Sequence, residues 1–469
     1  MPKIRAGVAL FKKEIRLFCL RQLLVPKAVA EIGILAICGL LCGAPAHAQT
    51  LYQLIEQARQ VDPQLAAAEA ASQARSDGLN QERSRFLPHL GLDANWQTGR
   101  DEDAGHRASA YRSRSANLAL RQTLFNMGDW QSLQQSKLGV DMAAVQTRQI
   151  QQNVRLRLSL AYFDALVARQ DVALLNAREA TLRKLGQAVK RRFEEGRATV
   201  IDTSAAHAEL QAVLSLQVGA QADLDIATSQ LSLLSQCPLT QLAEPDPRAD
   251  DADLSDGALA RWQSAARAQD FEVQKRALAA DIAAREVLKA KGDFLPTVQL
   301  VGSYGASRGA LTTSAAPADQ QTGRAIGVNL SVPLFDGLGT RARVDQASHL
   351  VLQAKAELAQ AQREADLEAT RNFLAARASL AQIKASQAAL DSASLAYEAV
   401  VKGFQFGKRS MTEVGIYEDR LFQARRNLSR AKYAWQANLV KLRASTAQLD
   451  DAYILRLSRG APEPRPQRP

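Results

Sequence analysis

The sequence predicts a mainly α-helical chain with membrane-type β-hairpins, built as a tandem duplication whose strands close into a barrel only when several chains combine. Three observations predict this. Motifs recur at a nearly constant offset: Phe86-Leu87-Pro88 returns as Phe294-Leu295-Pro296 after 208 residues, Leu124-Phe125-Asn126 as Leu334-Phe335-Asp336 after 210, and Phe193-x-x-Gly196 as Phe404-x-x-Gly407 after 211. Two stretches of 64 residues, 130–193 and 341–404, contain no proline. Each unit also holds two segments in which apolar and polar residues alternate strictly, the pattern of a strand with one apolar face. Aromatics make up only 5% of the 469 residues, which suits long helices better than one thick globular core.

Residues 1–48 read as an export signal. Seven Lys and Arg precede or enter the segment, Ile32 to Leu41 is a ten-residue apolar run, and Ala46-His47-Ala48 fits the small-x-small cleavage rule. Cleavage after Ala48 leaves Gln49 as the new N-terminus. Ten apolar residues reach about 15 Å as a helix, half of the roughly 30 Å hydrocarbon core, so the segment is too short for an anchor. Leu41 before Cys42 and Ile37 before Cys38 are not the small residue that lipidation needs. Cys237 is the one cysteine after residue 48, which leaves no intramolecular disulfide to form. The net charge of +11 includes +5 from the signal, and the rest is spread without a basic stripe interleaved with aromatics, which argues against nucleic-acid binding.

The first structural repeat spans 49–243. Thr50 and Gln53 form a capping box that opens a helix running toward Phe86, and Pro88 stops it. Leu90, Leu92, Ala94 and Trp96 alternate with polar neighbours, a loop covers 98–112, and Ala116, Leu118 and Leu120 alternate again. Residues 244–253 are a Pro/Asp-rich linker. The second repeat, 254–450, has the same order: Pro296, then Val298, Leu300 and Tyr304, a loop over 305–324, and Ile326, Val328, Leu330 and Val332. Residues 451–469 form an extension with a Pro/Arg-rich tail. Gly128, Gly337 and Gly339 let the backbone turn from strand to helix.

Alternation of this kind marks a membrane β-barrel or a surface sheet on a soluble domain. Four strands cannot close a barrel with a polar interior, and open edges cannot face lipid. In a membrane, three chains pooling their strands would give twelve, an even number as such barrels require. The long stretches would each make a helix of about 96 Å. Val154, Leu158, Ala161 and Ala165 form one apolar stripe and Leu156, Leu160, Phe163 and Val167 another, which predicts two helical neighbours, as in the wall of a hollow α-barrel. An elongated helical bundle is the plainer reading. Gly196 and Gly407 end these helices in the left-handed conformation, and new helices start near Ile201 and Thr412.

These residues resemble the TolC family of outer-membrane channel proteins. Leu51-Tyr52-Gln53-Leu54 with Asp62-Pro63-Gln64-Leu65, the two Leu-Pro strand starts, Leu124-Phe125-Asn126-Met127, and Arg192-Phe193-x-x-Gly196 with Asp202 carry the likeness over nearly the whole chain after the signal. The resemblance implies a homotrimer, with a 12-stranded β-barrel in the outer membrane continuous with a 12-helix periplasmic α-barrel. It implies a periplasmic and outer-membrane location in a Gram-negative cell, with an inner-membrane ABC transporter, a periplasmic adaptor protein, exported protein cargo and outer-membrane lipid as partners. The chain looks most like the type I secretion branch, in particular the exporter of an adenylate cyclase-haemolysin. Drug or metal efflux is the alternative, and a periplasmic adaptor or a structural fibre are further ones.

Carried over position by position, the periplasmic gate is Asp202, Arg409 and Glu413, and the tip and adaptor contacts are Phe193, Gly196, Phe404 and Gly407. Phe404 replaces a gate tyrosine and Ile416 replaces a second ring acid. No catalytic, metal or cofactor site is expected. Gly337-x-Gly339-x-x-Ala342 follows an alternating strand, whereas a dinucleotide-binding strand is apolar throughout, and the histidines lack ligand spacing.

Overall fold

The computed structural model describes residues 49–101, 109–239, 241–245, 252–255, 257–311 and 319–458. Ala46 and Ala48 of the expected cleavage site, most of the linker and the Pro/Arg-rich tail lie outside the described residues. The described residues from Thr50 onward form one compact unit. Its first half runs α1 (Leu51–Val61), α2 (Pro63–Ser84), β1 (His89–Asp101), β2 (Ser109–Phe125), α3 (Met127–Glu194) and α4 (Val200–Ser235). The second half repeats the order as α5 (Leu259–Gln269), α6 (Phe271–Gly292), β3 (Thr297–Leu311), β4 (Asp319–Ser331), α7 (Gly339–Gln405) and α8 (Met411–Ala444), and α9 (Asp451–Ser458) follows.

The capping box at Thr50 is present, but the helix it opens is not continuous. Asp62 turns extended at ψ 117°, and its Oδ1 accepts the amides of Gln64 at 2.8 Å and Leu65 at 3.1 Å. Pro63, placed first in α2, lacks the amide hydrogen that a continuing helix would use. The second repeat breaks at the equivalent place without proline: Asp270 Oδ1 accepts the amides of Glu272 at 2.8 Å and Val273 at 3.1 Å. An aspartate cap is enough to restart the helix.

The four strands form one antiparallel sheet in the order β1-β2-β3-β4. Leu90, Leu120, Gly302 and Ile326 lie in one cross-strand row, and even-numbered residues of all four strands share a face along most of the sheet. That face is apolar and exposed at Leu90, Leu92, Trp96, Tyr304, Ile326, Val328 and Leu330. The strands run several residues further than the alternation suggests, into both stretches read as loops. Backbone hydrogen bonds do not depend on side-chain polarity. Beyond the apolar band the strict alternation fails, and the ladder continues where that pattern stops.

The long helices α3 and α7 have 68 and 67 residues, about 100 Å each. α3 packs on α2 and α6 toward the sheet and on α4 and α8 away from it, while α8 packs on α7. Val154, Leu158 and Ala165 of one predicted stripe and Phe163 of the other are buried. Tyr162 and Leu166, outside both stripes, are buried too and join Leu51, Leu54, Ile55, Leu231, Val440, Tyr453 and Ile454 in a core around the middle of α3. The outer flanks have no such cover. Val218, Ile226 and Leu233 of α4 and Leu352, Leu367 and Leu395 of α7 are exposed large apolar side chains.

Candidate functional site

The end of the unit farthest from the sheet is built from two helical turns that the duplication makes equivalent. Gly196 has φ +72° and Gly407 has φ +74°; at those angles a Cβ would strain the backbone. Each turn leads into a capping box. Thr199 and Asp202 cap α4, with the Asp202 amide on Thr199 Oγ1 at 3.2 Å and the Thr199 amide on Asp202 Oδ2 at 3.0 Å. Ser410 and Glu413 do the same for α8, at 3.2 Å and 2.8 Å. The two acids assigned to the gate are thus the third residues of their helices, held there by the geometry of a helix start. Thr199 in the first case, and Ser410 followed by Arg409 in the second, draw the Asp202 and Glu413 carboxyls below the usual carboxylate range.

Asp202 reaches beyond its own helix. Its Oδ1 accepts the amide of Met411, the first residue of α8, at 3.4 Å, so one carboxylate faces the N-termini of two helices, where backbone amides lack partners and the dipole favours negative charge. Arg409 pairs with Glu413 at 2.8 Å, one turn along, on the exposed side. The structure brings Arg409 and Glu413 together, while the cross-helix contact of Asp202 is with the backbone of α8.

A residue that the tip motif contains but to which the sequence assigns no role completes the tip. Arg192, in the last turn of α3, donates to the carbonyls of Phe404 and Gln405, both at 2.9 Å, and its guanidinium lies 4.7 Å from the centre of the Phe404 ring. It caps the end of α7, whose final carbonyls have no partner within the helix. Arginine beside a tip phenylalanine was visible in the sequence, but its target is 212 positions away.

Phe404 corrects one expectation. It is 7% exposed and packs with Val189, Ala206, Val400, Met411 and Val414, so it belongs to the core of the tip and offers no surface to an adaptor. Its apolar ring fits a site where a buried phenol hydroxyl would need a partner. Phe193 at 43% and Phe406 at 78% are the exposed aromatics there, and Ile416 is exposed as well.

At the opposite end of α3 and α7 the chain passes from strand to helix. Pro88 and Pro296 each directly precede a strand, β1 and β3. Asn126 caps α3 through the Asp129 amide at 3.3 Å, with Gly128 close beside it. In the second repeat Gly337 and Leu338 both adopt positive φ, and Asp336 Oδ2 accepts the Thr340 amide at 2.6 Å. No group of three or more His, Cys, Asp or Glu that could hold a metal occurs among the described residues.

The sequence profile of the outer membrane efflux protein family matches residues 54–235 and 262–448. The outer membrane protein TolC of Vibrio cholerae is 27% identical over 419 residues, covering 88% of this chain and 94% of that one. The alkaline protease secretion protein AprF of Pseudomonas aeruginosa is 29% identical over 410 residues, 83% of each. Among solved structures, the CmeC outer membrane channel of Campylobacter jejuni superposes with a TM-score of 0.71 at 16% identity, over 87% of this chain and 90% of that one.

Proposed function

The chain belongs to the outer membrane efflux protein family and is an outer-membrane channel protein, and from that premise we propose that it is the exit duct of a type I protein secretion system. The observation that carries the secretion reading is the similarity to AprF, a protease secretion protein, over 83% of both chains. Efflux is the second reading, favoured by the family's own description. Deleting the gene separates them. Loss of specific proteins from the culture medium with unchanged drug susceptibility supports secretion; the reverse supports efflux.

The duct is a homotrimer in this reading. β1 and β4 are the sheet edges, and edges cannot face lipid unpaired; α4 and α7 carry uncovered apolar flanks. Three copies joined edge to edge satisfy strands and helices at once. Gln49 is the mature N-terminus, and an intact mass that includes residues 1–48 would refute it.

The tips are the gate and the docking end for an inner-membrane ABC transporter and its periplasmic adaptor, through Phe193, Gly196 and Gly407. Asp202 and Arg192 tie the α3–α4 hairpin to the α7–α8 hairpin, and Arg409 with Glu413 fixes the second turn. Each exposed charged contact contributes about 0 to 1 kcal/mol, and threefold repetition raises the sum to the few kcal/mol that a partner can overcome by binding the open state better. The double variant Asp202→Ala/Arg409→Ala raises single-channel conductance in planar bilayers without lowering trimer yield; unchanged conductance would assign closure to the apolar core around Phe404.

A further inference from the structure

Along the apolar face of the sheet, three strands change character toward their loop ends. In β2 the even-numbered residues run Leu120, Leu118, Ala116 and then Arg114 and Arg112; in β3, Leu300, Gly302, Tyr304, Ala306 and then Arg308; in β4, Leu330, Val328, Ile326 and then Arg324. Every one of these arginines lies on the side of the apolar band away from the helices and is exposed. The band crosses the cross-strand rows obliquely, since Arg324 shares a row with Tyr304 while Arg308 shares one with Arg114. Strands tilted at about 35–45° bring an oblique boundary of this kind closer to one membrane depth.

Among the described residues, their surroundings on this face hold no counter-charge. Arg114 stands directly opposite Arg308, a like-charge pairing that weakens a sheet. No Asp or Glu shares the even-numbered face among the described strand residues, and none of the four arginines has a recorded ion pair there. Arg114 lies 5.7 Å from the centre of the Trp96 ring, which places an interfacial aromatic beside it.

Given the membrane orientation argued above, on which this rests, we propose that Arg112, Arg114, Arg308 and Arg324 form a rim that binds the phosphate groups of a phosphorylated lipid in the leaflet at the loop end of the barrel. Guanidinium forks match phosphate oxygens in a bidentate way, and the apolar band immediately below takes the acyl chains of the same lipid. Continuity of charge and apolar surface on one face favours a lipid over a soluble anion, because a soluble anion has no use for the band.

The test uses the full-length protein purified in detergent and incubated with a bisphosphorylated lipid A or its dephosphorylated form, with retained lipid read by native mass spectrometry. Wild type should retain the phosphorylated lipid at least about tenfold better, and Arg114→Gln/Arg308→Gln/Arg324→Gln should lose that preference. Arg121→Gln, on the odd-numbered face of β2, should keep it, and millimolar inorganic phosphate should not displace the lipid. Equal retention by the triple variant, no preference in the wild type, or displacement by inorganic phosphate each overturn the proposal. Insertion into phosphatidylcholine vesicles tests the membrane reading separately: both proteins should insert equally, and failure of the wild type to insert would overturn the barrel.

Discussion

The two tip turns share a backbone and differ in what they do with their side chains. Gly196 and Gly407 adopt nearly the same φ, and both turns lead into capping boxes. Yet Phe193 projects into solvent while its counterpart Phe404 lies in the tip core under Arg192. Duplication has preserved the local rules of helix ends, which depend on glycine and a cap, and left the side chains free to diverge. The first turn supplies Arg192 and Asp202, and the second receives them through the ends of α7 and α8.

The largest effect should come from reversing that inside-outside difference. Phe404→Ala should destabilise the tip by about 3–5 kcal/mol, whereas Phe193→Ala should stay within about 0.5 kcal/mol. Hydrogen exchange of residues 185–206 and 397–417 reads both. Equal effects would mean that the two phenylalanines are equivalent after all.

A second contrast lies between apolar packing and charge, both of which join the two repeats. Buried Arg178 of α3 meets Glu418 at 2.6 Å and Asp419 at 3.0 Å on α8, with Glu209 of α4 at 3.6 Å and the Phe422 ring 4.8 Å away. Two turns along α3 the polarity reverses: Asp171 accepts from Arg426 and Arg430. Arg178→Ala strands buried Glu418 and should cost about 3–5 kcal/mol. Arg426→Ala leaves Arg430 on Asp171 and should cost about 1 kcal/mol or less. Thermal unfolding of the detergent-solubilised protein distinguishes them.

Smaller effects separate the two helix breaks. Asp62 is tied to Arg157 at 2.9 Å. Asp270 has its pKa raised, by burial first, with Glu272 and Glu368 adding to it against the amides it caps. A raised carboxyl pKa means that its contribution is complete below the ordinary carboxylate range and is lost as pH rises through the folded-state pKa. Asp270→Asn keeps the capping oxygen, so it should be neutral or stabilising at neutral pH, with the gain disappearing in acid. Asp62→Asn loses the charge facing Arg157 and should cost about 1 kcal/mol at neutral pH. The tip caps have the opposite sign. The lowered pKa values of Asp202 and Glu413 give stability present above the ordinary carboxylate range and lost as pH falls through their folded-state values, so hydrogen exchange at the tip should accelerate in strong acid.

Much of this was legible in the sequence because it rests on local rules. The capping box at Thr50, the tip glycines and the strand alternation from Leu90 appear within short windows, and the duplication shows because each repeated motif is itself short. Three things were not. The break at Asp62 was hidden because Pro63 at the first position of a helix is as favourable as it is disruptive later. Strand ends escaped because the ladder outlasts the apolar band. Arg192, Arg178 and Asp171 act on partners more than 200 positions away, a distance that neither periodicity nor spacing reports. Asp202 and Glu413 were picked out by resemblance, and their capping role came from the turn geometry.

The central claim is that unsatisfied edges on both the sheet and the helices close by threefold association. Light scattering of the outer-membrane form in detergent, corrected for bound detergent, tests it most directly. The account predicts a protein mass of three mature chains that persists on dilution; a stable folded monomer with its strand content intact would contradict it.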